Sequence, residues 1–206
     1  LDDGAFNVIL GKEAGKSSSG TGKATQYNVF IGHKAAYVTT DTVRSIVIGN
    51  EAGYSMTIGS ESVIIGDQAG YDLTTTTKTV LIGRAAGADI NSTDANGTIA
   101  IGYNTGRSIT SGQKNTIIGY NAGDAMTTSD SNTIIGYEAG TSVITSGEQG
   151  STLIGKEAGK ALTTGAYNTA IGRGALKTAT TAAACIAIGD QAMQYTPAGV
   201  NVTSVI

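Results

Sequence analysis

The chain has 206 residues, with 30 Gly, one Pro, no Trp and two Phe, and only 14% of it is charged. A formal net charge of −3 offers no basic field for nucleic acid or an anionic membrane, while 40% hydrophobic residues are too many for a disordered polar tract. The single cysteine, Cys185, excludes an internal disulfide framework and a two-cysteine metal motif, and no apolar run reaches the roughly 18 residues that cross a bilayer. There is neither an initiator Met nor a signal-peptide pattern at Leu1, so a processed product or a segment of a longer protein is expected.

One glycine, preceded by Leu at its first occurrence and by Ile thereafter, recurs along the chain. It falls at Gly11, Gly32, Gly49, Gly66, Gly83, Gly102, Gly119, Gly136, Gly155, Gly172 and Gly189, at intervals of 21, 17, 17, 17, 19, 17, 17, 19, 17 and 17 residues. Self-similarity at a short fixed period is the mark of a solenoid. Before each marker lies a β-branched or aliphatic run, from Val8-Ile9-Leu10 through Val63-Ile64-Ile65 and Thr133-Ile134-Ile135 to Ile186-Ala187-Ile188. Bounded by Asn, Ser, Thr or Cys on one side and Gly on the other, these runs have strand chemistry. After the marker come two polar-looking residues, then Ala and usually Gly, as in Lys156-Glu157-Ala158-Gly159, which suits a tight corner. Seven residues after the marker, Met56, Leu73, Ile90, Ile109, Met126, Val143 and Leu162 predict a second, shorter strand. The insertions fall in the return segments, for example Thr145 to Gly150, and are expected as surface loops.

These elements predict an all-β fold: a β-solenoid or β-roll of about eleven 17-residue coils spanning 1–194, with a tail at 195–206. At about 4.8 Å per rung the rod is roughly 50 Å long. A three-sided helix of hexapeptides would require an inward aliphatic eleven residues after each marker, where Ser60, Thr77, Gln113 and Asp130 stand instead. Side chains alternate across a strand, so the outer two residues of each run share one face and the middle residue takes the other. Both faces are apolar at Ile64-Ile65, Ile117-Ile118 and Ile134-Ile135. One face fills the coil; the other predicts self-association along the rod, most simply a parallel homotrimer.

No constellation of His, Cys and carboxylates announces catalysis, so no enzyme activity, cofactor or metal is expected. His33, the only histidine, stands one residue after a marker, at a position taken elsewhere by Lys, Asn, Asp, Arg and Tyr. Cys185 replaces the polar residue that precedes the strand in most other units, where a small buried side chain is expected. Glu13, Glu51, Glu138 and Glu157 each lie two residues after a marker, on an outward repeat position. Tyr37, Tyr54 and Tyr71 lie five residues after consecutive markers, and Tyr103, Tyr120 and Tyr137 lie one residue after three others. Each trio is expected to stack as a ladder on the rod surface, either stabilising neighbouring rungs or offering a stripe to sugar rings.

The unit Asn-Thr-x-Ile-Gly-x-x-Ala-Gly, plainest at Asn132 to Gly140, resembles the repeats of phage tail-fibre and related virion-fibre proteins. It is also similar to the shorter head repeats of trimeric autotransporter adhesins, which form a trimeric β-roll; the unit of about 17 residues favours the fibre family. The resemblance runs from about Asn7 to Met193 and implies scaffold architecture. It implies the structural rod of a viral tail or head fibre on the virion surface, contributing to host attachment. A bacterial surface adhesin or extracellular filament subunit is the alternative. Expected partners are further copies of the chain, including end-to-end stacking, other virion or fibre proteins at the ends, and host-surface glycan. Neither nucleic-acid binding nor membrane insertion is expected. A flat ice-binding face would need the same Thr in every coil, and Asn91-Ser92 breaks that column.

Overall fold

The structure, a computed structural model, describes residues 6–16, 25–92, 95–143, 147–148 and 150–195. Seven three-residue strands come first: β1 (Val8–Leu10), β2 (Val29–Ile31), β3 (Ile46–Ile48), β4 (Val63–Ile65), β5 (Val80–Ile82), β6 (Ile99–Ile101) and β7 (Thr116–Ile118). There follow β8 (Ser129–Asp130), β9 (Thr133–Ile135), β10 (Gly147–Glu148), β11 (Thr152–Ile154), β12 (Thr169–Ile171) and β13 (Ile186–Ile188). All strands but β8 and β10 form one eleven-stranded sheet in chain order, every neighbouring pair parallel. The register is the repeat itself: Ile117 pairs with Ile134, Ile134 with Leu153, and each outer residue with its equivalent in the next coil. The fold is a parallel β-solenoid, as the 17-residue period predicts, with about ten turns where about eleven coils were expected, and no α-helix occurs among the described residues.

Alternation decides which side chains fill the coil. The middle residue of a strand is enclosed, and Phe30, Val47, Ile64, Leu81, Ile117, Ile134 and Leu153 are all 0% exposed. Opposite them lie the aliphatic residues seven after each marker, with Met56, Leu73, Ile90, Ile109, Met126 and Leu162 closing the same core. The alanines three after the marker, such as Ala122 and Ala139, fill the narrow corner. These side chains form one core running through the rungs.

The second strand expected at Met56, Leu73 and their equivalents does not form. Their amides turn back within the coil: Met56 donates to the Gly53 carbonyl, Leu73 to Gly70 and Met126 to Gly123. That is a turn, and an extended strand would have sent those bonds to the next rung. Around it the ladder continues, with the amides of Gly53, Ser55 and Ile58 donating to the carbonyls of Ala69, Tyr71 and Thr74 at 2.8–3.0 Å. The far wall is thus laddered without being a sheet. Among the described residues β8 and β10 pair there in parallel and Gln26 makes an isolated parallel bridge with Val43; β10 lies within the insertion expected to be a plain surface loop. The remainder of that insertion (145, 146 and 149) and residues 196–206 of the tail, where Val200, Val202, Val205 and Ile206 suggest one further strand, lie outside the described residues.

The marker glycine has a single cause. Gly119 sits at φ +141°, and a Cβ built there would lie 2.4 Å from the Gly136 carbonyl oxygen in the next coil. The contact repeats at each marker from Gly11 to Gly172, because the stacked chains approach backbone to backbone at this corner.

Candidate functional site

The residue before each strand carries a second, polar ladder inside the rod. Asn115 is buried; its Nδ2 donates across the coil to the Ser129 carbonyl (2.8 Å) and its Oδ1 accepts the Asn132 amide of the next rung (2.9 Å). Asn28 and Asn168 do the same with Thr42 and Ala182 across the coil and with Ser45 and Cys185 above. Where Ser stands instead, its hydroxyl plays a similar part: Ser45 donates to the Gly59 carbonyl and accepts the Ser62 amide. Cys185 occupies this buried column, as its small size predicts. The recurring Asn, Ser or Thr was visible in the repeat, but its role as a cross-strut is not deducible from strand-boundary chemistry.

On the surface, the residue after each marker forms a column in which neighbours complement one another. His33 Nδ1 lies 3.0 Å from Asn50 Oδ1, and Asn50 Nδ2 donates to Asp67 at 2.8 Å. Asp67 pairs with Arg84 at 3.3 Å, and Arg84 donates to the Tyr103 hydroxyl at 3.2 Å. Tyr103, Tyr120 and Tyr137 then stack with ring centroids 5.0 and 5.4 Å apart, and Lys156 lies over Tyr137. Further along, Arg173 holds Asp190 through two bonds of 2.7 Å. His33 is therefore an exposed ladder residue, as expected from its place in the repeat.

The other trio behaves alike. Tyr37, Tyr54 and Tyr71 stack at 4.9 Å per step, with Lys16 over the ring of Tyr37. Both trios form the ladders that their spacing predicts. Stacking covers both faces of the middle rings, Tyr54 and Tyr120, so a ligand meets ring edges and hydroxyls there. Burial raises the Tyr71 phenol above its ordinary value, and the hydrogen bond to Glu138 raises Tyr137.

The glutamates two after each marker hold lysines. Glu51 faces Lys34 at 3.9 Å, and Glu13 faces Lys16 at 3.2 Å. Lys160 bridges Glu138 and Glu157, and Lys177 reaches Glu157 at 2.8 Å. The Lys160 bond holds the Glu138 carboxyl below its ordinary range; Glu157 is lowered chiefly by Lys177, then by Lys160. Asp89 and Asp124 move the other way because burial penalises their charge, with Arg107 partly offsetting it. The charged columns thus cross-link rungs. Among the described residues no three His, Cys, Asp or Glu side chains are grouped to hold a metal ion, and no helix is long and apolar enough to cross a membrane.

The structure divides the apolar strand residues singled out in the sequence. Ile64, Ile117 and Ile134 are core, whereas Ile65, Ile118 and Ile135 point outward and are half-buried. Comparison with family models, with curated proteins and with solved structures finds no match.

Proposed function

We propose that the chain is the structural rod of a viral fibre, a tail or head appendage that carries host-contacting parts away from the particle. One observation carries this reading: backbone, buried amides, aromatic rings and ion pairs are all engaged with the next rung along one axis. Such a molecule resists bending and has a length set by its number of repeats. The Asn-Thr-x-Ile-Gly-x-x-Ala-Gly unit, with its likeness to virion-fibre repeats, supports a fibre over other solenoid uses. The reading includes association between parallel copies through the outward strand face, arranged as the homotrimer expected from the sequence. It also places other virion proteins, or stacked copies, at the ends and host glycan at the tyrosine edges.

Antibodies raised against the 206-residue chain and applied to the source culture test this proposal. Gold label on appendages of virus particles is the expected result. Label spread over a bacterial envelope instead would favour the surface-adhesin or extracellular-filament reading and overturn this one.

A further inference from the structure

In three coils the side chain six residues before the marker accepts a backbone amide from the preceding coil. Ser60 Oγ takes the Val43 amide at 3.2 Å, Asn96 Oδ1 the Thr77 amide at 2.7 Å and Asp130 Oδ1 the Gln113 amide at 2.7 Å. Asn96 is set apart by the residue that follows it. The next position is left-handed in coil after coil, with φ +58° at Arg44, +60° at Glu61 and Lys78, +57° at Lys114 and +61° at Ser131. A side chain is tolerated there, yet Asn96 is followed by Gly97, in the one Asn-Gly pair of the sequence. Gly97 is exposed, and the atom nearest to a Cβ built on it is Lys114 Cγ at 4.0 Å.

Without a Cβ on the following residue, nothing hinders that residue's nitrogen from closing a five-membered ring on the asparagine side chain. Thr77 contacts both ends of such a closure. Its N–H and its Oγ–H donate to Asn96 Oδ1, at 2.7 and 3.2 Å, and this is the oxygen that gains negative charge when Cγ is attacked. Its carbonyl accepts the Gly97 N–H at 3.4 Å, a long bond that leaves the amide lightly held. Two donors fixed on a developing oxyanion are what acyl-transfer sites provide, and here the nucleophile is the next residue in the chain. The same bonds exist in the resting amide, but they strengthen as the oxygen becomes charged.

We infer that Asn96 is a site of self-modification, where the rod converts an asparagine to an aspartate with Thr77 as the positioning residue. The Gly97 nitrogen bonds to Asn96 Cγ, the Cγ–Nδ2 bond breaks, and the nitrogen leaves as ammonia with the former amide proton. A cyclic imide remains, and water opens it. Attack of water at Cγ breaks the new bond and leaves an ordinary aspartate at position 96. Attack at the main-chain carbonyl leaves isoaspartate, with an extra methylene in the backbone. That methylene would displace the strand beginning at Ile99 from its partners Val80 and Thr116, whereas a carboxylate already makes the equivalent bond at Asp130. The ordinary aspartate is therefore the expected product. Its charge arises next to the column in which Lys78 and Lys114 flank Gly97, and the one carboxylate of that column, Glu61, is held by Arg44. The reaction needs no partner and is independent of the fibre reading.

Peptide mass mapping of the folded full chain, incubated in heavy-oxygen water, follows the exchange of an NH for an oxygen drawn from solvent. Asn96 is expected to convert ahead of every other asparagine, Asn91 before Ser92 included, and faster than in the same chain unfolded by guanidinium. Equal or slower conversion in the folded chain would overturn the inference, because the coil would then shield the pair. Thr77→Val keeps the branched shape and the backbone amide but loses the hydroxyl donor, and is expected to slow conversion about tenfold. Thr77→Ser, which retains the hydroxyl, is expected to restore the rate, a rescue that a purely structural role would not produce. Gly97→Ala places a Cβ on the nucleophile and is expected to suppress conversion with circular dichroism unchanged. An unchanged rate in Thr77→Val, or isoaspartate as the main product, would overturn the role given to the coil.

Discussion

At the residue scale, two positions in each coil carry constraints that no neighbour can relax. The marker glycine is the first. Gly119→Ala would drive a methyl group into the Gly136 carbonyl at 2.4 Å, so that either the corner or the rung register must give way. The expected cost is about 4 kcal/mol or more by thermal unfolding. Gly97→Ala is its control. Gly97 also has positive φ (+75°), but the nearest atom to a built Cβ there is the Lys114 side chain at 4.0 Å, so only the left-handed penalty of about 1–2 kcal/mol is expected. Equal losses at both sites would show that strain, and not close backbone approach, explains the marker. The Asn column is the second constraint. Asn115→Ala takes away one donor to the Ser129 carbonyl and leaves the Asn132 amide without its acceptor, in a buried column. A loss of about 1–3 kcal/mol in the same measurement is expected, the cost of orphaning one buried polar group.

At the scale of the element, each surface column acts as a strip of alternating partners whose strength depends on protonation. Glu138 and Glu157 have carboxyls held below the ordinary value of 4.5 by Lys160 and Lys177. Their contribution is therefore fully present above that value and is lost as pH falls below it through the folded-state value. Asp89 and Asp124, raised by burial, carry the opposite sign and regain stability as pH falls. Melting temperatures measured from about pH 6 to about pH 3 are expected to fall less steeply for Glu138→Gln with Glu157→Gln than for the unmodified chain. Identical acid limbs would remove this cluster from the account. At high salt the difference is expected to shrink, because these groups sit near the surface.

For the whole molecule, stacking in one dimension makes each rung replaceable. Deleting 116–132 removes 17 residues, joins Asn115 to Thr133 and brings Gly102 beneath Gly136 and Tyr103 beneath Tyr137. Every column keeps its residue type or a close equivalent. The shortened chain is expected to fold with its circular dichroism per residue unchanged and a rod about 4.8 Å shorter in scattering. Deleting 116–131, one residue fewer, would displace the inward and outward faces beyond the junction and is expected to abolish cooperative unfolding. Tolerance of both deletions would mean that the rungs do not share a register.

The repeat by itself determined the parallel solenoid, the strand positions, the alternation of faces and the two tyrosine ladders. Each depends on a residue's own coil and its equivalent one period away, and periodicity records that distance directly. What it could not settle was which apolar face points inward, because Ile134 and Ile135 are chemically the same and only closure of the coil distinguishes them. The far wall was misread for a related reason: an aliphatic residue at Met56 or Leu73 demands burial, and a tight turn buries it as well as a strand does. The Asn strut was hidden because its partner lies 14 residues away across the coil, a distance fixed by the path of the corner. Pairs between columns, such as Lys160 with Glu138 across 22 residues, likewise follow from the insertions and the lateral offset of neighbouring columns. Contacts along the rod axis are legible in a period, whereas contacts across it depend on how the chain turns its corners.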